Sequence, residues 1–124
     1  MAQYMLLIYD DPSVWESMGE EEKNAMMGEY FAYTNELREA GAYVAGDALQ
    51  PTTTAKSVRL RDGERLTTDG PFAETKEALG GYYLIDVETD EEAQDWAAKI
   101  PSARVGTIEV RPVVVFPETA DASA

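Results

Sequence analysis

Cysteine and histidine are both absent from the 124 residues. Without cysteine there is no disulfide framework, no thiolate nucleophile and no Cys-ligated zinc or iron–sulfur centre. Without histidine the chain lacks the side chain that most often serves as general base, proton shuttle or metal ligand near neutral pH. Ser-His-Asp, Cys-His and His-rich metal sites are therefore all excluded. Positive charge is also scarce: 10 Lys and Arg face 24 Asp and Glu, for a net charge of −14. Such a surface repels phosphate backbones and anionic membranes, which argues against a nucleic-acid or membrane partner. It also serves simply to keep a protein soluble. Long apolar runs are missing too. No stretch approaches the roughly 20 apolar residues of a membrane span, and the N-terminus lacks the basic region and apolar run of a signal peptide, so a cytoplasmic location is expected. The carboxylates show no EF-hand-like spacing; no metal and no cofactor are expected.

The chain does have material for a core, with 44% hydrophobic residues, and its length suits one compact domain. We place that domain at residues 1–116 and expect the small, polar tail 117–124 to be disordered. Gln3 to Tyr9 is a continuous apolar run ended by Asp10-Asp11-Pro12 and reads as a buried strand. From Glu20 to about Ala40, Met26, Tyr30, Tyr33 and Leu37 recur at helical spacing, with Glu20, Glu21 and Glu22 at the positive end and Gly41 as the stop. A short strand around Tyr43–Ala45 precedes a loop-like stretch, Gly46–Thr54. Ser57–Arg61 and Glu64–Thr68 flank Asp62-Gly63, a strong hairpin signal. After the turn Asp69-Gly70-Pro71-Phe72 and a charged segment comes the strand Tyr82–Val87. Thr89 and Glu92 form a capping box for a helix carrying Ala93, Trp96, Ala97 and Ile100, ended by Pro101. Thr107–Arg111 is the last strand, with Val113–Phe116 a possible continuation.

This order, β-α-β, a hairpin, then β-α-β, predicts an α+β fold of the ferredoxin-like βαββαβ type with an extra hairpin. Two helices cover one face of such a sheet, yet alternation puts apolar side chains on both faces: Tyr4, Leu6 and Ile8 on one, Met5, Leu7 and Tyr9 on the other. The second face needs a cover, and another copy of the chain is the simplest one.

The densest polar cluster runs Asp69-Gly70-Pro71-Phe72-Ala73-Glu74-Thr75-Lys76-Glu77 and is followed by Gly80-Gly81. With the opening Tyr4-Met5-Leu6-Leu7, the stretch Gly80-Gly81-Tyr82-Tyr83 and the close Glu109-Val110-Arg111-Pro112, it resembles the YCII-related family, in the branch named after its Asp-Gly-Pro-Phe motif. The resemblance covers Gln3 to Val113. It implies a ferredoxin-like subunit paired into a dimeric α+β barrel, with a cleft near the motif aspartate. Relatives outside this branch are credited with a His–Asp pair in that cleft, and a dehydrochlorinase resembles them. With no histidine here, that dyad does not carry over.

Asp69 is the candidate catalytic residue, as a general base, against a reading in which Asp-Gly-Pro is only turn chemistry. Lys76 and Arg111 are candidate anion ligands, Glu74 and Glu77 candidate loop contacts, and Phe72 either a ligand contact or a core plug. Tyr9 and Tyr83 offer hydroxyls. Arg111, if buried by a partner subunit, needs a carboxylate such as Asp69 or Glu74. Two functions fit these residues: a dimeric small-molecule-binding module, with a protein as a further possible partner, or a small-molecule enzyme performing elimination or isomerisation through Asp69. A purely structural oligomer leaves the charged loop without a role.

Overall fold

A computed structural model describes residues 1–116; the tail expected at 117–124 lies outside the described residues. Strand β1 (Ala2–Asp10) is followed by a short helix α1 (Pro12–Glu16) and the long helix α2 (Glu20–Glu39). Strand β2 (Tyr43–Ala48), the hairpin strands β3 (Lys56–Arg61) and β4 (Glu64–Asp69), and β5 (Ala78–Val87) come next. Helix α3 (Asp90–Ala98), a 3₁₀ turn (Pro101–Arg104) and β6 (Thr107–Pro112) complete the fold. The four long-range strands form one antiparallel sheet in the order β2-β5-β1-β6, and β3 and β4 pair only with each other. This mixed α+β architecture is consistent with the ferredoxin-like plan.

Sequence alternation sets the two faces of the sheet. Tyr4, Leu6 and Ile8 of β1 sit opposite Ile85, Tyr83 and Gly81 of β5, and these positions point into a core with Tyr33 and Leu37 of α2 and Ala93 and Ala97 of α3. Both long helices thus pack on one face. Tyr33 lies edge-on to Tyr83 and to Trp96, with ring centroids 5.2 and 6.0 Å apart, the geometry that aromatic quadrupoles favour. Met5, Leu7 and Tyr9 alternate onto the other face beside Leu84 and Tyr82, and no helix covers them.

Three elements depart from expectation. Strand β2 runs on to Ala48 because Gly46 permits contact with Tyr83: a Cβ there would stand 2.7 Å from the ring. Strand β5 begins at Ala78, since Gly80 and Gly81 lie inside it; a Cβ on Gly81 would meet the Asp47 carbonyl at 2.9 Å. Finally, β6 stops at Pro112 and does not continue through Val113–Phe116. The antiparallel partner runs out where β1 begins, and the Val113 N–H makes a last bond to Gln3 O at 2.9 Å.

Helix α1 is an element the sequence reading lacks. Asp11 caps it by accepting from the Ser13 N–H at 2.9 Å, and Pro12 takes the first helical position, where no N–H is needed. The hairpin turn has positive φ at both Asp62 (52°) and Gly63 (77°), which matches the twist of the strands it joins. No helix among the described residues is long and apolar enough to cross a membrane.

Candidate functional site

A cavity of about 530 Å³ opens between α2 and the β1-β5-β2 side of the sheet. Its size is that of a small-molecule pocket. The elements around it explain why it is not filled. Gly46, Gly80 and Gly81 line the sheet side without side chains, and α1 carries Trp15 to the mouth. Met27 and Phe31 of α2 also line it, yet Phe31 is 65% exposed, so apolar surface is left facing the opening.

The polar groups of the cavity follow one face of α2. Tyr30, Thr34 and Arg38 stand four residues apart, so their Cα atoms climb about 12 Å along the axis. At one end the Tyr30 hydroxyl is 2.5 Å from Ser102 Oγ of the 3₁₀ turn. That turn is pinned to α2 by a two-pronged pair, Arg104 to Glu29, at 2.6 and 3.1 Å. Thr34 Oγ1 donates to Tyr30 O at 2.9 Å and lies 2.8 Å from the Tyr83 hydroxyl. At the far end the Arg38 guanidinium rests over the Tyr43 ring, 4.6 Å from its centroid.

Two acids line this cavity: Asp47 of β2, which accepts from the Tyr82 hydroxyl at 2.9 Å, and Asp10, the last residue of β1. Burial pushes its carboxyl above the usual range, and the nearby Glu77 and Asp11 push in the same direction, while hydrogen bonding from Ser102 pulls it back. Two glycines hold it in place. A Cβ on Gly106 would fall 3.0 Å from Asp10 Cβ, and one on Gly80 would fall 3.3 Å from Asp10 Oδ1. Burial also raises Tyr30 and Tyr83 above the ordinary phenol range, so both stay protonated at neutral pH.

Of the candidate site residues Tyr9, Asp69, Phe72, Glu74, Lys76, Glu77, Tyr83 and Arg111, one lines this cavity and one acts on its Asp10. Tyr83 lines it, and Glu77 acts on Asp10 through its charge while accepting from Thr107 Oγ1 at 3.0 Å. Asp69 stands at the open end of the hairpin, its side chain 88% exposed and 2.6 Å from Lys56 Nζ, its cross-strand neighbour. Gly70 (φ 94°) turns the chain there, donating to Ala55 O at 2.7 Å and accepting from Ser57 Oγ at 2.8 Å. Phe72 is 83% exposed, and Glu74 and Lys76 are exposed beside it. Tyr9 and Arg111 lie on the uncovered sheet face, where Arg111 Nε meets Glu109 at 3.5 Å rather than Asp69 or Glu74. The motif residues and the cavity are thus separate features of the described structure.

In sequence Asp10 reads only as a strand terminator. A signal for more is present: Asp10 precedes a capped Asp-Pro-Ser start, which fixes where the strand ends and a helix begins.

The profile of the YCII-related domain matches residues 2–117, from the start of β1 to past the end of the described residues. An uncharacterised protein of Rhizobium meliloti (strain 1021) is 40% identical over 115 residues, spanning 91% of this chain and 93% of that one. A match that takes in every strand and helix of the fold covers the architecture and not merely a motif, and by it the chain belongs to the YCII-related family.

Proposed function

We propose that this protein is a dimeric small-molecule-binding module whose binding site is the cavity between α2 and the sheet. The observation that carries the proposal is the cavity itself: about 530 Å³ of space, largely apolar, with Asp10, Tyr30 and Ser102 gathered at one end. Apolar walls with a few convergent polar groups, one of them shifted in pKa, are what a pocket for a small organic molecule requires.

Dimerisation rests on the uncovered sheet face. Met5, Leu7, Tyr82 and Leu84 form its apolar centre. Alternation puts Asp86 on the same side, and its Oδ1 is buried with no hydrogen-bond partner, a condition that native proteins rarely leave standing. Val58 and Leu60 of the hairpin, 61% and 68% exposed, are further apolar surface that a partner could cover. A second copy laid on that face would cover it.

One observation favours a second reading, acid–base catalysis. The raised Asp10 carboxyl beside a hydroxyl pair is suited to moving a proton in an elimination or isomerisation, with Asp10 in the role the sequence suggested for Asp69. The two readings part on whether the bound molecule is recovered unchanged.

Cavity binding is tested by thermal shift with indole as a neutral, apolar aromatic probe, run on the wild type and on Thr34→Phe, whose ring would occupy the middle of the cavity. Indole at about a hundred times its dissociation constant adds roughly 2.7 kcal/mol, a rise of several degrees in a domain of this size. We expect that rise in the wild type and its loss in Thr34→Phe. Equal rises in both would place indole elsewhere and remove the basis of the proposal.

A further inference from the structure

The direction of the hydrogen bonds lining the cavity restricts what it can hold. Thr34 has one hydroxyl proton, and it goes to the Tyr30 carbonyl. Toward Tyr83 the Thr34 oxygen is therefore an acceptor, and Tyr83 is the donor. Asp10 stands at the other end of the cavity. An ionised Asp10 only accepts, and hydrogen bonding from Ser102 stabilises it. The Tyr30 and Ser102 hydroxyls share one hydrogen bond of 2.5 Å, in which either oxygen can donate. The Tyr83 hydroxyl therefore spends its proton within the protein. What Tyr83 and an ionised Asp10 turn toward the cavity are lone pairs.

The charges point the same way. Asp10 has no Lys or Arg partner among the described residues; its charged neighbours Glu77 and Asp11 are acids. The cations near the cavity are held on aromatic faces, Lys23 over Trp15 at 5.5 Å and Arg38 over Tyr43 at 4.6 Å. Arg38 lies at the end away from Asp10, eight residues along α2 from Tyr30. The net charge of −14 draws small cations toward the molecule as a whole.

We propose that the cavity takes an organic ammonium, a primary amine on an aromatic or apolar body, with the ammonium at Asp10 and the body between Trp15, Phe31 and the glycine-lined sheet. The ammonium brings three donors to the Asp10 end of the cavity, and the rings around it add cation–π attraction. This rests on the reading of the cavity as a small-molecule site and assigns its ligand class.

Three probes sharing one body test it: phenethylamine, 2-phenylethanol and phenylacetate, titrated calorimetrically against the full chain. We expect phenethylamine to bind at least tenfold more tightly than the alcohol, and the acid to bind most weakly. In Asp10→Asn the amine should fall to the affinity of the alcohol. A measurement on the wild type alone guards against misfolding of that variant. As pH drops and Asp10 takes up a proton, amine binding should weaken while alcohol binding holds. The groups facing Asp10 in that titration are Glu77, Asp11, Tyr30 and Ser102, with Lys76 acting on Asp11. Alcohol binding as tight as amine binding, or an amine preference retained in Asp10→Asn, would overturn the amine assignment. If indole still raises the melting midpoint, the cavity reading survives that result; if neither indole nor any of the three binds, both fall together.

Discussion

Gly106→Ala is expected to lower the stability of the protein by about 3 kcal/mol, the upper end of what overpacking usually costs. The added Cβ would press into the Tyr9 carbonyl oxygen and sit 3.1 Å from Asp10 Cα, and both are backbone atoms that no rotamer change can move. The start of β6 must withdraw from the end of β1, against the pairing of Tyr9 with Thr107. Asp10 is the next residue, so loss of stability and loss of ligand binding should appear together. Gly28 offers the opposite case. It lies in the middle of α2, where an added methyl group would have nothing within 4 Å, and Gly28→Ala should gain about 0.5–1 kcal/mol through helix propensity alone. Urea unfolding of the two variants beside the wild type reads both effects; a Gly106→Ala protein as stable as wild type would contradict the close approach.

Leu7→Arg is expected to turn the proposed dimer into a monomer while leaving the subunit folded. Leu7 stands at the centre of the uncovered sheet face, between Tyr82 on β5 and Glu109 on β6. In the isolated subunit an arginine there has a carboxylate opposite it and water above it, so folding should tolerate the change. Beneath a second subunit the same charge would be taken out of water at the middle of the interface, where removing it from solvent costs several kcal/mol. Sedimentation equilibrium should give about twice 13.7 kDa for the wild type and 13.7 kDa for the variant, with unchanged far-ultraviolet circular dichroism. A wild type that stays at 13.7 kDa at all concentrations would show that the apolar face is left to solvent.

The frame of the fold was readable because its signals are local. The run Gln3–Tyr9, the spacing of Met26, Tyr30, Tyr33 and Leu37, the Asp62-Gly63 turn and the Thr89 cap each act within one or two turns of chain. Strand ends were harder to read. Gly46, Gly80 and Gly81 look like loop residues in sequence, and only their close approach to neighbouring strands keeps them in the sheet. The site was the least legible part. Asp10, Tyr30, Thr34 and Ser102 come from three elements spread over more than ninety residues, and none forms a motif with the others. The conspicuous Asp-Gly-Pro-Phe cluster drew attention instead. In the structure its aspartate pairs with Lys56 at the hairpin end, and its glycine makes the turn.

The most direct test of the cavity as the functional site is a thermal-shift screen of metabolites on three proteins in parallel: wild type, Asp10→Asn and Asp69→Asn. The account predicts that molecules raising the midpoint of the wild type will raise that of Asp69→Asn equally and lose their effect on Asp10→Asn. Ligand shifts that vanish in Asp69→Asn and persist in Asp10→Asn would contradict it and put the site at the Asp-Gly-Pro-Phe turn.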